Sequence, residues 1–234
     1  MDFLDAAVDL LLQGTCPGCA RPGRGVCPTC VRAMMAGRVG PRDRAGIDLP
    51  LWCAGDYEPP VPRVVSQAKD HHRWDGIEIL GTRLAFAVAA LADHLRLPPQ
   101  GCLVPFPSTR ASVEARGLDV TGAIVRAAAR RLRRVGMDME VSDMLVHVRR
   151  VQDQSGLTSD QRHANLEGAL EARSHGCRGW IVLVDDVVTT GASMTEGLRA
   201  LREAHLHPVG LGSVAATVLH NTSTADRGRH EGSP

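Results

Sequence analysis

Lysine is almost missing from this 234-residue chain: of its 27 cationic side chains, only Lys69 is not an arginine. Aromatic residues are scarce too, at three Phe, three Trp and one Tyr, so few flat faces are available on which unpaired bases could stack. The net charge of +1 excludes a protein that coats nucleic acid by charge alone, because neutralising many phosphates takes a large cationic excess. Any basic site has to be local. Long apolar runs are also absent. A membrane span needs roughly 18 to 20 consecutive apolar residues, and even the apolar stretch from Ile77 to Leu97 is broken by Glu78, Arg83, Asp93, His94 and Arg96. No membrane insertion is expected. The opening segment, MDFLDAAVDLLLQGT, carries Asp2, Asp5 and Asp9 where an export signal has positive charge and an unbroken apolar core, so the expected location is cytoplasmic.

What is present suits a globular chain. Hydrophobic residues make up 44% of it, supplied mostly by Leu, Val and Ile. At about 150 residues per domain the length allows one domain with a small appendage. In a reducing compartment seven cysteines are not expected to form a disulfide framework. Four of them cluster as Cys16-Pro-Gly-Cys19 and Cys27-Pro-Thr-Cys30, with a turn-rich spacer between the pairs. Tetrahedral zinc needs four thiolates converging on one point, and two such turns on a short hairpin supply them. The expectation is structural Zn²⁺, since a closed four-thiolate set leaves no open position for a reacting water. Redox chemistry at either pair is the alternative, disfavoured by the lack of a surrounding βαβ pattern. Cys53, Cys102 and Cys177 stand singly in apolar surroundings and read as small core hydrophobes.

Phe3, Leu4, Ala7, Val8, Leu11 and Leu12 recur at helical spacing. Residues 1–45 are thus expected to form a helix and a zinc-ribbon-like unit. The Gly-, Pro- and charge-rich stretch from Ala36 to Leu49 reads as a linker, residues 46–219 as the main domain, and 220–234 as a disordered polar tail. Within the main domain short apolar runs alternate with helical stretches. Strands are expected at Leu51 to Ala54, Cys102 to Phe106, Trp180 to Val184 and Val209 to Ala216. Helices are expected at Ile77 to Leu95, Val120 to Val135 and Ser193 to Ala204. That alternation predicts an α/β fold, a parallel sheet flanked by helices, with its ligand beyond the carboxyl ends of the strands.

The segment Ile181-Val-Leu-Val-Asp-Asp-Val-Val-Thr-Thr-Gly-Ala-Ser193 concentrates the chemistry. Four apolar residues read as a strand buried on both faces, two carboxylates follow at its end, and a turn of small residues leads into a helix. Asp185 and Asp186 can accept from the paired hydroxyls of a ribose. The N–H groups of Thr189, Thr190, Gly191, Ala192 and Ser193, with the helix dipole, suit a phosphate. The plainer reading is a chance acidic pair followed by a helix cap.

This segment resembles the 5-phosphoribosyl pyrophosphate (PRPP) signature of type I phosphoribosyltransferases. The order of motifs along the chain resembles ComF-type proteins: the cysteine pairs, Tyr57 followed by Lys69, Val104-Pro-Phe-Pro-Ser-Thr-Arg110 with Arg116-Gly117, then Arg149, Gln154, Leu157, Arg162 and Asn165, and finally the acidic pair with its turn. That family joins a zinc-ribbon-like unit to a phosphoribosyltransferase domain and is associated with competence and DNA uptake. The resemblance implies that Asp185 and Asp186 are the ribose-binding, catalytic acids. It also implies that Val187, Val188 and Thr189 to Ser193 bind the 5′-phosphate, that Ser108, Thr109 and Arg110 form a pyrophosphate loop with Arg116 nearby, and that Lys69 contacts the ligand. The stretch holding Arg149, Gln154, Arg162 and Asn165 would be a lid, and Mg²⁺ would accompany PRPP. Two departures from the family pattern concern the acceptor: Leu118 is followed by Asp119-Val120 rather than Asn-Gln, and His147 stands where a basic residue is common.

Two classes of function follow. One is a phosphoribosyltransferase (a glycosyltransferase) with an unassigned acceptor, and a homodimer by analogy with type I relatives. The other is a non-catalytic accessory that binds single-stranded DNA or DNA-uptake helicases, for which Arg126, Arg130, Arg131, Arg133 and Arg134 on one helix offer a basic face. A solvated helix face explains that cluster equally.

Overall fold

The computed structural model describes residues 14–151, 159–173 and 176–218, leaving aside the side chains at 159, 160, 162 and 163. The expected N-terminal helix, Gln154, the side chain of Arg162 and the expected polar tail lie outside the described residues. The chain forms a mixed α/β structure around a six-stranded sheet of order β1-β2-β8-β7-β3-β4. Its strands are β1 (Gly40–Pro41), β2 (Leu51–Cys53), β3 (Gln100–Pro105), β4 (Asp138–Val141), β7 (Trp180–Val188) and β8 (Pro208–Ala216). All neighbours pair parallel except β1, which runs antiparallel along the β2 edge. A separate hairpin joins β5 (Leu145–His147) to β6 (Leu170–Ala172).

The central strand explains the layering. Along β7, Val182 and Val184 enter one apolar cluster, while Ile181 and Leu183 enter another, as side chains alternate across the pleat. The first cluster is closed by helices α2 (Val61–Asp70), α3 (Ile77–His94) and α5 (Val120–Arg134). The second is closed by α7 (Ala192–Glu203) and the β5–β6 hairpin. A strand buried on both faces reads as a continuous apolar run, which is how Trp180 to Val184 announced itself. Met139 and Met144 are buried in these clusters. Shorter helices are α1 (Pro28–Met35), α4 (Arg110–Arg116) and α6 (Ser159–Leu166).

Three expectations are corrected. The stretch from Ala36 to Leu49 is more than a linker: it contributes β1 to the sheet, and Arg44 is buried. Cys102 and Cys177 are not isolated core residues but form a disulfide with a Cα–Cα distance of 5.9 Å. They stand 75 residues apart in sequence, and the parallel register that sets Gly101 beside Trp180 brings them together. Finally, the strand does not stop before the two acids. It continues through Asp185 and Asp186 to Val188 because β8 runs alongside, pairing Asp185 with Ser213 and Val188 with Ala216.

The hairpin is fixed to α7 by a polar clamp. Glu196 is buried and accepts from the N–H groups of Gly168 (3.2 Å) and Leu170 (2.9 Å) and from the Arg199 guanidinium, which also donates to the Leu170 carbonyl at 2.7 Å. Burial alone would raise the Glu196 carboxyl, but Arg199 and the two N–H donors outweigh it and hold it below its ordinary value of 4.5. A depressed acid contributes stability above its ordinary value and loses it as pH falls through the folded one. Glu196→Gln is therefore expected to lower the urea midpoint well above pH 4.5, with the gap from wild type narrowing below it. A gap that is constant with pH would assign the effect to packing.

Candidate functional site

The acids are opened to one side by the way the sheet ends. Strand β3 stops pairing with β7 at Pro105–Val184, and the Phe106 N–H makes the last bond, to the Val184 carbonyl at 2.8 Å. One residue later β7 presents Asp185 and Asp186 with β8 on one side and the departing loop of β3 on the other. This is the carboxyl edge of a parallel sheet, where such folds take their ligands.

Both carboxyls are buried and ordered by the backbone. Asp185 Oδ1 accepts the Asp186 N–H at 2.8 Å, and Asp186 Oδ1 accepts the Val187 N–H at 2.9 Å. Ser213 Oγ donates to the Asp186 carbonyl at 3.0 Å. Asp186 Oδ2 lies 2.5 Å from Lys69 Nζ, in an ion pair whose lysine side chain is 29% exposed and whose aspartate is 4% exposed. Lys69 comes from the last turn of α2, so the one lysine of the chain faces the one adjacent pair of buried acids. Burial, joined by the Asp186 charge beside it, raises Asp185 well above the carboxylate range. For Asp186 burial pushes the same way, and the Lys69 ammonium more than reverses it, so this carboxyl is held low. Lys69 is disfavoured by burial but held above its ordinary value by the two acids. The site therefore separates two adjacent carboxyls into a charged acid and one that resists ionisation, the division of labour expected where proton positions matter.

Tyr57 borders the same group. Burial, then the negative charge of Asp186, raise its phenol. Arg116, at the end of α4, faces Asp70 at 3.8 Å, beside Lys69, and His72 Nε2 is 3.1 Å from the Ala115 carbonyl. The ends of α2 and α4 thus meet over the acids.

The turn after β7 is built from outside it. Gly191 begins α7 with a φ of +92°, a conformation that suits glycine. Behind the turn, the buried Arg44 donates from Nε to the Thr189 carbonyl (2.7 Å) and from Nη2 to the carbonyls of Thr217 (2.5 Å) and Val188 (3.5 Å). On the other side, Asp185, Val187 and Val188 together with Thr189 to Ser193 line a small pocket at the α7 N-terminus. The sequence signalled the turn; it gave no signal for Arg44, which lies in an apparent linker and is one arginine among many.

The other expected loop is arranged differently from the acids. Thr109 caps α4, accepting the Ser112 N–H at 3.2 Å, and Arg110 lies inside that helix, 91% exposed and paired with Glu114. Ser108 Oγ donates to Asp119 at 2.7 Å, and Asp119 in turn caps α5 by accepting the Gly122 N–H at 3.1 Å. The Asp119 departure thus ties the loop after β3 to α5. His147 approaches that loop from β5, its Nε2 3.0 Å from the Pro107 carbonyl and its ring edge-on to Phe106. Arg149 donates to the Glu167 carbonyl at 2.5 Å, across the segment that contains Gln154, and Asn165 lies near the end of α6.

The four clustered cysteines meet. Their Sγ atoms all lie within 4.8 Å of one another, so they could hold a metal ion. Cys16 Sγ accepts the N–H groups of Gly18 (3.4 Å) and Cys27 (3.3 Å), as a thiolate would. Arg21 Nε donates to Cys19 Sγ at 3.4 Å and holds that thiol down at about 6, whereas burial and then the neighbouring thiols push Cys30 up. The α5 arginines are mostly engaged within the chain: Arg126 with Asp143 and Asp119, Arg130 and Arg131 with Glu78, and Arg133 with the Met139 carbonyl. Among the described residues no helix is long and apolar enough to cross a membrane.

No protein-family model matches this chain, and no curated protein matches it either.

Proposed function

We propose that the chain is a ComF-type phosphoribosyltransferase-like protein that binds PRPP and transfers its 5-phosphoribosyl group to an acceptor. One observation carries the reading: two adjacent buried carboxyls at the open edge of a parallel strand, followed at once by a glycine turn and a helix N-terminus. That order of groups suits a ribose 5-phosphate. Asp185 and Asp186 accept from the ribose hydroxyls, and the turn from Thr189 to Ser193 receives the 5′-phosphate on its N–H groups and the α7 dipole. Mg²⁺ accompanying PRPP would be held largely by the ligand and water and would neutralise the pyrophosphate. Displacement at C1 by a nitrogen nucleophile would pass through an oxocarbenium-like state. The chain's part is to hold ribose and leaving group in place and to keep Lys69 and Arg116 near the developing negative charge. Structural zinc fits the four cysteines, whose closed set of thiolates leaves no open position.

Titration calorimetry of the zinc-loaded protein with PRPP and Mg²⁺ tests this. Saturable, Mg²⁺-dependent binding that is lost in Asp185→Asn/Asp186→Asn is expected. Absence of binding by PRPP and ribose 5-phosphate to the folded protein would sink it. A parallel titration with single-stranded DNA distinguishes the accessory reading.

A further inference from the structure

Lys69 reaches the acids from the C-terminal end of α2, and both ends of that helix are held by the segment of the first cysteine pair. At the N-terminal end Gly18 rests on Pro60, the residue that precedes α2. A Cβ on Gly18 would stand 3.1 Å from the Pro60 Cβ and 2.8 Å from Cys30 Sγ, so glycine is what lets this segment lie against the Pro60 and Cys30 side chains. At the other end, Arg73 Nη1 donates to Thr15 Oγ1 at 3.0 Å and Nη2 donates to the Thr15 carbonyl and, at 2.8 Å, to Asp75. The Arg73 N–H donates to the Gln67 carbonyl in the last turn of α2, also at 3.0 Å. Residues 15 to 18 therefore grip α2 at Pro60 and at Arg73.

The second cysteine pair is anchored elsewhere. Cys30 lies in α1, whose Met34 is buried in the main core and whose Met34 carbonyl accepts from the buried Arg83 of α3. The four-cysteine site joins these two anchorages, and Cys16 Sγ already accepts the Cys27 N–H across it. A force path thus runs from α3 through α1 and the cysteines to both ends of α2, and from there to Lys69.

We propose that the four-cysteine site is a clasp that positions Lys69 against Asp186, with Arg73 and Thr15 as the positioning residues that carry its hold. The need for one follows from how α2 is otherwise fixed. Val61, Val64, Val65 and Ala68 bury one face of the helix, but apolar burial is non-directional and tolerates sliding along the axis. Lys69 comes one residue after the last of these contacts. Its ammonium is a compact charge that must stay within ion-pair distance of a carboxylate in the core, and a shift of about 2 Å carries it past the ~4 Å reach of such a pair. Arg73 and Gly18 supply the constraint along the axis. The clasp itself is independent of what the acids bind; its effect on ligand affinity rests on the PRPP reading given above.

The scarcity of lysine makes the test direct. A small amine-acylating reagent followed by peptide mass analysis reads Lys69 against one other amine, the chain N-terminus, as internal reference. Arg73→Met, and wild type stripped of zinc by a chelator, are each expected to acylate Lys69 about ten-fold faster than the zinc-loaded wild type, the N-terminal rate unchanged. Thr15→Val, which removes only the hydroxyl acceptor, should give a smaller rise. Unchanged Lys69 reactivity in folded Arg73→Met and in the chelated protein would overturn the clasp. Should Arg73→Met fail to fold, Thr15→Val and the chelated wild type decide by the same rate. PRPP titrations separate the two layers. Faster acylation with weakened PRPP binding supports both, whereas faster acylation in a chain whose wild type binds no PRPP upholds the clasp and removes the reading of the site. Undiminished PRPP affinity in a variant with freed Lys69 would overturn the link to ligand.

Discussion

Replacing Lys69 by methionine is expected to lower stability by about 2 kcal/mol at neutral pH and to weaken PRPP binding by about ten-fold or more. Methionine keeps most of the stem and removes the charge, so the change isolates the ion pair. Breaking a buried pair from one side costs roughly 3 to 5 kcal/mol because the remaining charge is stranded. The 29% exposure of Lys69 lets water moderate that, hence the smaller figure. The pH dependence gives the sharper signature. In the wild type, Asp186 is held below its ordinary 3.8, so it contributes stability above that pH and loses it as pH falls through the folded value. Asp185 is raised well above 3.8, favours the fold in acid and subtracts from stability as pH rises toward its folded value. Without the ammonium both acids fall in the second class. The deficit of Lys69→Met should therefore be smallest in acid and grow toward neutrality, as read by urea unfolding across a pH series. A deficit that does not change with pH would mean that packing, not charge, was lost. Lys69→Arg restores the charge but brings a planar, bulkier fork, and its PRPP affinity should stay below wild type.

The second large effect is expected at Arg44. Arg44→Met should destabilise the chain by about 2 to 3 kcal/mol and disable the turn between β7 and α7, because the Thr217 carbonyl loses its guanidinium donor and the Thr189 carbonyl its shorter one in a water-poor setting, while Val188 keeps the Thr217 N–H. On the PRPP reading, binding of ribose 5-phosphate should suffer more than stability alone predicts, since the turn would present its N–H groups to a phosphate only while its carbonyls are held from behind. The informative comparison is Arg44→Lys. A guanidinium reaches these carbonyls at once with donors fixed in one plane; an ammonium on a shorter stem has no such fork. Less than half of the lost stability should return. Recovery of wild-type stability and affinity in Arg44→Lys would show that charge alone mattered there.

The segments read best from sequence were those whose signal is local. Trp180 to Val184 declared a strand by an unbroken run of apolar, mostly β-branched residues, and the helix observed at Ile77–His94 was expected within one residue of its end. The cysteine pairs needed only their spacing, and their sulfurs do converge. Shorter elements escaped: α2, α4 and the β5–β6 hairpin are brief, and their burial comes from partners far along the chain. The same distance hid the Cys102–Cys177 bond.

Composition and pattern by themselves determined a parallel α/β chain, a four-cysteine cluster, and an acidic pair leading into a glycine turn, because each is written in residues a few positions apart. Only the tertiary structure decided what surrounds that pair. Lys69 comes to Asp186 from more than a hundred positions away in sequence, and Arg44 reaches Thr189 from a stretch that reads as a linker. Nothing in a one-dimensional pattern distinguishes an arginine that fills a buried gap from the others around it, or tells which carboxylate the lone lysine will find. Those choices are made by sheet register and by the cost of leaving a buried charge or carbonyl without a partner.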